Sequence, residues 1–121
     1  MFETHQFNPT LDKEFLLENY DTHEYLVEVF GDFLELMPEE VEEIKSAQSE
    51  KDKDRVVKKI HAISSAIGFV GGTNLSDKMK KFEVKAKTDP DFDISNEESS
   101  TLVNEIETFI GIIQEEYNQL S

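Results

Sequence analysis

The chain contains no cysteine and no tryptophan. Without cysteine there is no disulfide framework and no thiolate metal site, which suits a reducing compartment and sets the cytoplasm as the expected location. Proline occurs three times and glycine five times in 121 residues, so regular structure has few obligatory breaks. No apolar run approaches the roughly 18 residues that a membrane span needs. Met1 to Pro9 lacks the basic start and apolar stretch of a secretory signal. Cations are scarce as well: 12 Lys and Arg face 27 Asp and Glu, for a net charge of -15. A nucleic-acid backbone or an anionic membrane would repel such a chain overall, although a local basic patch could survive. The acidic surface favours solubility and steers toward a partner with a basic face.

What is present is helical periodicity, nearly throughout, without period-two β-branched alternation. The length suits one domain over residues 1–121, and its start at Met1 leans toward a free-standing protein. Thr10 is expected to cap a short helix with Leu11, Phe15 and Leu16, broken at Asn19-Tyr20-Asp21. The next helix starts near Thr22 and carries Leu26, Phe30, Phe33, Met37, Val41 and Ile44. The apolar phase survives across Pro38, which predicts one bent helix rather than two. Ser49 to Asp52 reads as a connection, followed by a helix with Val56, Val57, Ile60, Ile63 and Ile67. Gly71-Gly72 should end it, with Thr73 or Asn74 capping the next. Thr88 to Ser95 reads as an acidic loop before a last helix from about Asn96. Together these predict an all-α fold: an antiparallel four-helix bundle over about residues 22–120, with a short extra N-terminal helix.

Three histidines are candidates for chemistry. His5 falls in a segment expected to fray, and His23 at a helix start where a satisfied or solvent-facing ring is ordinary. His61 differs in its neighbours. On a helical wheel it lies roughly 100° from Ile60, at the edge of the apolar stripe. Ser64, Ser65 and Gly68 flank it with little side-chain bulk. Such clearance lets another protein bring a reacting atom to the ring. A neutral imidazole nitrogen is nucleophilic at cellular pH, because the unperturbed pKa is near roughly 6.5. A phosphoryl group there would need donors. Lys58 lies one turn before, and the Ser64 and Ser65 hydroxyls one turn after.

The run Val56 to Gly71, followed by Leu75, Met79, Phe82 and Glu83, resembles the signature of the histidine-containing phosphotransfer (HPt) domain family. An aliphatic residue follows the histidine at Ile63, a glycine stands ten positions on at Gly71, and an apolar-apolar-glutamate pattern closes the next helix. The upstream Phe30 to Pro38 is similar to the family's first bundle helix, and the resemblance covers roughly residues 15–120. It implies a phosphorelay protein. His61 would accept a phosphoryl group from an aspartyl-phosphate receiver domain and pass it to another receiver. The implied partners are response-regulator receivers and a hybrid sensor histidine kinase. The implied Mg²⁺ sits on the receiver, so this chain needs no cofactor of its own. Gly68 would leave room for the docked partner. The sequence departs from the family where a lysine and a glycine usually follow: it has Ser64 and Ser65. An adaptor that binds receivers without transferring phosphate is the alternative, and a purely structural acidic protein a third reading.

Other signals fail. Asp89, Asp91 and Asp93 open like a calcium loop, but Ile94 stands where glycine is needed and Ser100 where glutamate is needed. No histidine pair suggests zinc, and no glycine-rich phosphate loop precedes a lysine, so this is a carrier without a nucleotide site. Glu39 to Glu43 reads as a solvated helix face.

Overall fold

The computed structural model describes residues 4–94 and 96–121. They form five helices and, among the described residues, no strand: α1 (Lys13–Asn19), α2 (His23–Ser49), α3 (Lys53–Phe69), α4 (Thr73–Thr88) and α5 (Glu97–Leu120). No helix among the described residues is long and apolar enough to cross a membrane.

The helix starts follow side-chain capping. Asp12, Thr22, Asp52 and Asn96 each accept a bond from the backbone N–H three residues on, which satisfies a donor the helix leaves open. The first of these corrects the expectation for Thr10. The cap is Asp12, a stronger acceptor, and Leu11 is buried ahead of the helix. α4 departs too. Its N-cap is Gly72, without a side-chain cap, and the Thr73 hydroxyl donates instead to Asp12 Oδ2 at 3.1 Å. α2 runs unbroken through Pro38, which is exposed, so the expected single helix is what forms.

Two turns depend on left-handed backbone. Gly71 has φ 89°, and the Gly72 N–H reaches back to the Ile67 carbonyl at 2.9 Å, closing α3. Lys51 has φ 56°, and the next amide, Asp52, bonds the Ala47 carbonyl at 2.9 Å, closing α2.

Contacts that ascend along α2 descend along α5: His23 to Leu120, Gly31 to Tyr117, Lys45 to Glu107 and Gln48 to Ser99. The same inversion relates α2 to α3, through Lys59 with Glu40 and Arg55 with Glu50. Phe30, Phe109, Leu26, Met37, Ile60, Ile63, Ile67, Met79, Ile106 and Ile113 are fully buried between the helices. Burial of each such side chain contributes about 1.5–3 kcal/mol against exposure. The acidic loop after α4 joins this core, because Phe92 and Ile94 are buried and Phe92 meets the Phe82 ring edge-on at 5.2 Å.

The N-terminal segment is not frayed over its described part. His5 Nε2 and the Asn8 N–H both bond the Glu116 carboxylate, which is buried on α5. His23 is satisfied, its Nε2 lying 2.6 Å from the Leu120 carbonyl. Glu40 and Glu43 are not merely solvated either: they clasp Lys59 at 3.0 and 2.5 Å.

Candidate functional site

α3 and α4 pack against each other along most of their length, with Ser76 Oγ donating to the Ser64 carbonyl at 2.9 Å and His61 facing Glu83. This pairing brings together side chains that lie 22 positions apart in sequence. His61 stands at the seam with its side chain 70% exposed. Its Nδ1 lies 2.9 Å from Glu83 Oε1 and 3.2 Å from Oε2. Glu83 itself is buried, and its Oε2 accepts from Lys87 Nζ at 2.7 Å, one turn further along α4.

Burial by itself pushes the Glu83 carboxyl up. Hydrogen bonds from Lys87 and His61, with the charges behind them, outweigh that effect, and the net pKa falls below the usual value. Glu83 is therefore an ionised acceptor at neutral pH. An ionised carboxylate only accepts, so Nδ1 carries the proton as donor. In the neutral ring that tautomer leaves the lone pair on Nε2, the atom that projects away from Glu83.

An open groove of about 470 Å³ runs past the ring, lined by Lys53, Asp54, Val57, Lys58, His61 and Lys87. Lys58 is exposed and makes no ion pair among the described residues, so its ammonium is free to approach an anion on His61. Lys53 Nζ is held by the Asp89 carbonyl at 2.9 Å. A second groove, of about 380 Å³, continues along the same seam past Ser65, Gly68, Phe69 and Lys80.

The five sequence-predicted site residues separate. His61, Lys58 and Ser65 are exposed on this face, and Gly68 is half-buried in the second groove. Ser64 is not beside the ring's outer edge. It is 1% exposed, and its hydroxyl donates to the His61 carbonyl at 2.8 Å. The wheel explains this. Ser64 falls only about 40° from Ile60, inside the stripe that α4 covers. Its hydroxyl is spent on its own helix and is not a donor for a group on Nε2. Gly68 has the room expected of it, since an added Cβ would meet the Ser76 hydroxyl only at 3.5 Å.

Two residues of the site were missed. Glu83 follows Phe82 on the apolar side of α4, and a glutamate on the buried side of an amphipathic helix signals a partner inside. Lys87 is the i+4 neighbour that completes the pair. Among the described residues no cluster of three metal-ligating side chains occurs. Comparison of the chain with protein families, curated proteins and solved structures returns no match.

Proposed function

We propose that this chain is a histidine phosphocarrier of the HPt type, built as an antiparallel four-helix bundle, α2 to α5, with α1 as an appended N-terminal helix. The observation that carries the reading is the His61 ring: exposed, with Nδ1 donated to a buried, ionised Glu83 and Nε2 free. That is the arrangement of an oriented nucleophile. The order of contacts along neighbouring helices supports the bundle, and the free Lys58 supports a site for an anion.

In this reading Nε2 attacks the phosphorus of an aspartyl phosphate on a receiver domain. The N–P bond forms as the acyl phosphate P–O bond breaks, and the receiver's carboxylate leaves with the electron pair. The ring then holds a proton on Nδ1 and a phosphoryl group on Nε2, and so gains positive charge. Glu83 balances that charge across the 2.9 Å contact. Lys58 meets the phosphoryl oxygens, which carry more than one negative charge at neutral pH. The reverse reaction delivers the group to a second receiver. The receiver supplies Mg²⁺, and a hybrid sensor kinase supplies the phosphoryl flow. The cytoplasm is the compartment where these partners occur.

Incubation with a phosphorylated receiver tests this. Wild type should take up acid-labile, base-stable label, and His61→Gln should take up none. No label from any receiver of the source organism sinks the proposal, and label on His61→Gln sinks the site. Stable binding without label points to the adaptor reading, for which the committed hydroxyl of Ser64 is the favouring observation.

A further inference from the structure

Charge is not spread evenly over this acidic chain. Residues 53–88, which span α3 and α4, hold nine of the 12 cations and only three acids, Asp54, Asp77 and Glu83. The other residues hold 24 acids and three cations. α2 and α5 together carry 14 of those acids and one cation, Lys45. The bundle therefore has one cationic side and one strongly anionic side.

The cations divide again by what they meet. Four of those on the flanks are spent inside the molecule: Lys59 on Glu40 and Glu43, Arg55 on Glu50, Lys78 on Glu105 and Lys85 on Glu98, while Lys81 lies among the acids of the α4 and α5 side. Those on the outer seam are not. Lys58 and Lys80 meet no carboxylate among the described residues, and Lys87 meets Glu83 alone. On α4, Lys80, Val84 and Lys87 share one face at i, i+4, i+7 spacing. Val84 and Phe69 are 60% and 61% exposed, the most exposed large apolar side chains among the described residues. The acids at this face are Asp54 at one end and Asp12 and Asp77 at the other. Asp12 is occupied by the Phe15 amide and the Thr73 hydroxyl.

We propose that the outer seam of α3 and α4 docks an acidic protein partner that lays apolar side chains over Phe69 at one end of the seam and Val84 toward the other. This deepens the phosphocarrier reading and rests on it for its purpose, because the docked partner would lie over His61. Lys58, Lys80 and Lys87 attract the partner, while the apolar pair and the low floor at Ser65 and Gly68 seat it. The anionic α2 and α5 side repels the same partner, so the approach is confined to one face. A nucleic acid fits less well. It has no use for the apolar pair, and its length would carry phosphates onto the acidic flanks.

The test is an amide NMR titration of the full chain with three probes: a designed acidic helical peptide with a leucine stripe, its lysine counterpart, and a short single-stranded oligonucleotide. The acidic peptide should shift amides of residues 58–69 and 80–87, and added salt should weaken it. Lys80→Glu should weaken it about fivefold and Phe69→Ala about tenfold. The lysine peptide should shift α2 and α5 instead. No shift with the acidic peptide, shifts on α2 and α5, or tighter binding of the oligonucleotide overturns the proposal. The two readings fail separately. Docking on this seam without label on His61 rejects the phosphocarrier. Normal labelling with an unchanged KM for the receiver in Lys80→Glu and Phe69→Ala rejects the docking face.

Discussion

Replacing Glu83 with glutamine isolates the charge of the group behind His61. The amide keeps the size of the carboxylate and can still accept from Nδ1, so the ring keeps its orientation. In the proposed phosphocarrier reading, what is lost is the negative charge that would offset the ring's positive charge on phosphorylation of Nε2. A hydrogen bond to a charged partner contributes about 1.5–3 kcal/mol. Half or more of that survives solvent screening here, since Glu83 is buried while the ring is largely open to water. A loss of about 1–2 kcal/mol corresponds to a transfer rate reduced roughly 5- to 30-fold. The same change removes the Lys87 ion pair, whose lysine is exposed, at a cost of about 0–1 kcal/mol in stability. Tm should therefore fall by no more than about 4 °C. The assay is the initial rate of label uptake from a phosphorylated receiver, with thermal unfolding beside it. A rate within twofold of wild type at unchanged Tm would refute the role assigned to Glu83. A collapse of Tm would show that the residue holds the fold rather than the ring.

Four other outcomes are expected. The Glu83 carboxyl has a folded pKa below the ordinary 4.5, so the stability it contributes is complete above that value and is lost as pH falls through the folded value. The Tm gap between wild type and Glu83→Gln should accordingly be open near about pH 6 and shrink toward about pH 3. At Gly72 an added Cβ would sit 2.5 Å from Ile67 Cγ2 and 2.6 Å from Phe109 Cζ. Gly72→Ala should lower Tm by on the order of 8 °C in calorimetry, from an overpacking cost of about 2 kcal/mol. Lys51→Gly relieves a side chain held at φ 56° and should raise stability by about 0.5–1 kcal/mol in a urea titration. Glu116→Ala removes the acceptor shared by His5 and the Asn8 N–H, so hydrogen exchange at the Asn8 amide should speed up by about tenfold or more.

The helices were legible because their signals are local. Apolar spacing marks the buried faces of α2 to α5, and Asn96 and Thr22 stand where their caps are needed. The errors came where a residue's partner is distant. Thr10 read as the cap, whereas Asp12 takes that place, held by the Thr73 hydroxyl and the Gly71 carbonyl some 60 residues away. His5 read as frayed because Glu116 lies 111 positions off. The position of Ser64 is a different case. The wheel already put it inside the stripe, and only its smallness made it look like part of an open edge. His61 was legible as an exposed ring with clearance. Its orientation was not, since that is fixed by a side chain on another helix.

The placement of Glu83 also bears on the lysine that the HPt pattern leads one to look for at position 64. A lysine there would enter the stripe that α4 covers, where Ser76 packs and the Ser64 side chain is almost wholly buried. Its stem would have to snorkel out past Ser76 to bring charge to the ring. In this chain the charge comes from two other directions. Lys58 approaches from the preceding turn of α3, and Lys87 reaches the same groove from α4. Lys87 is held by Glu83 Oε2, and His61 by the same carboxylate. One buried anion thus holds both the His61 ring and a cation beside it. Removing that anion should disturb the site more than removing either lysine alone, because Lys58 and Lys87 can stand in for each other and, among the described residues, no other carboxylate meets Nδ1.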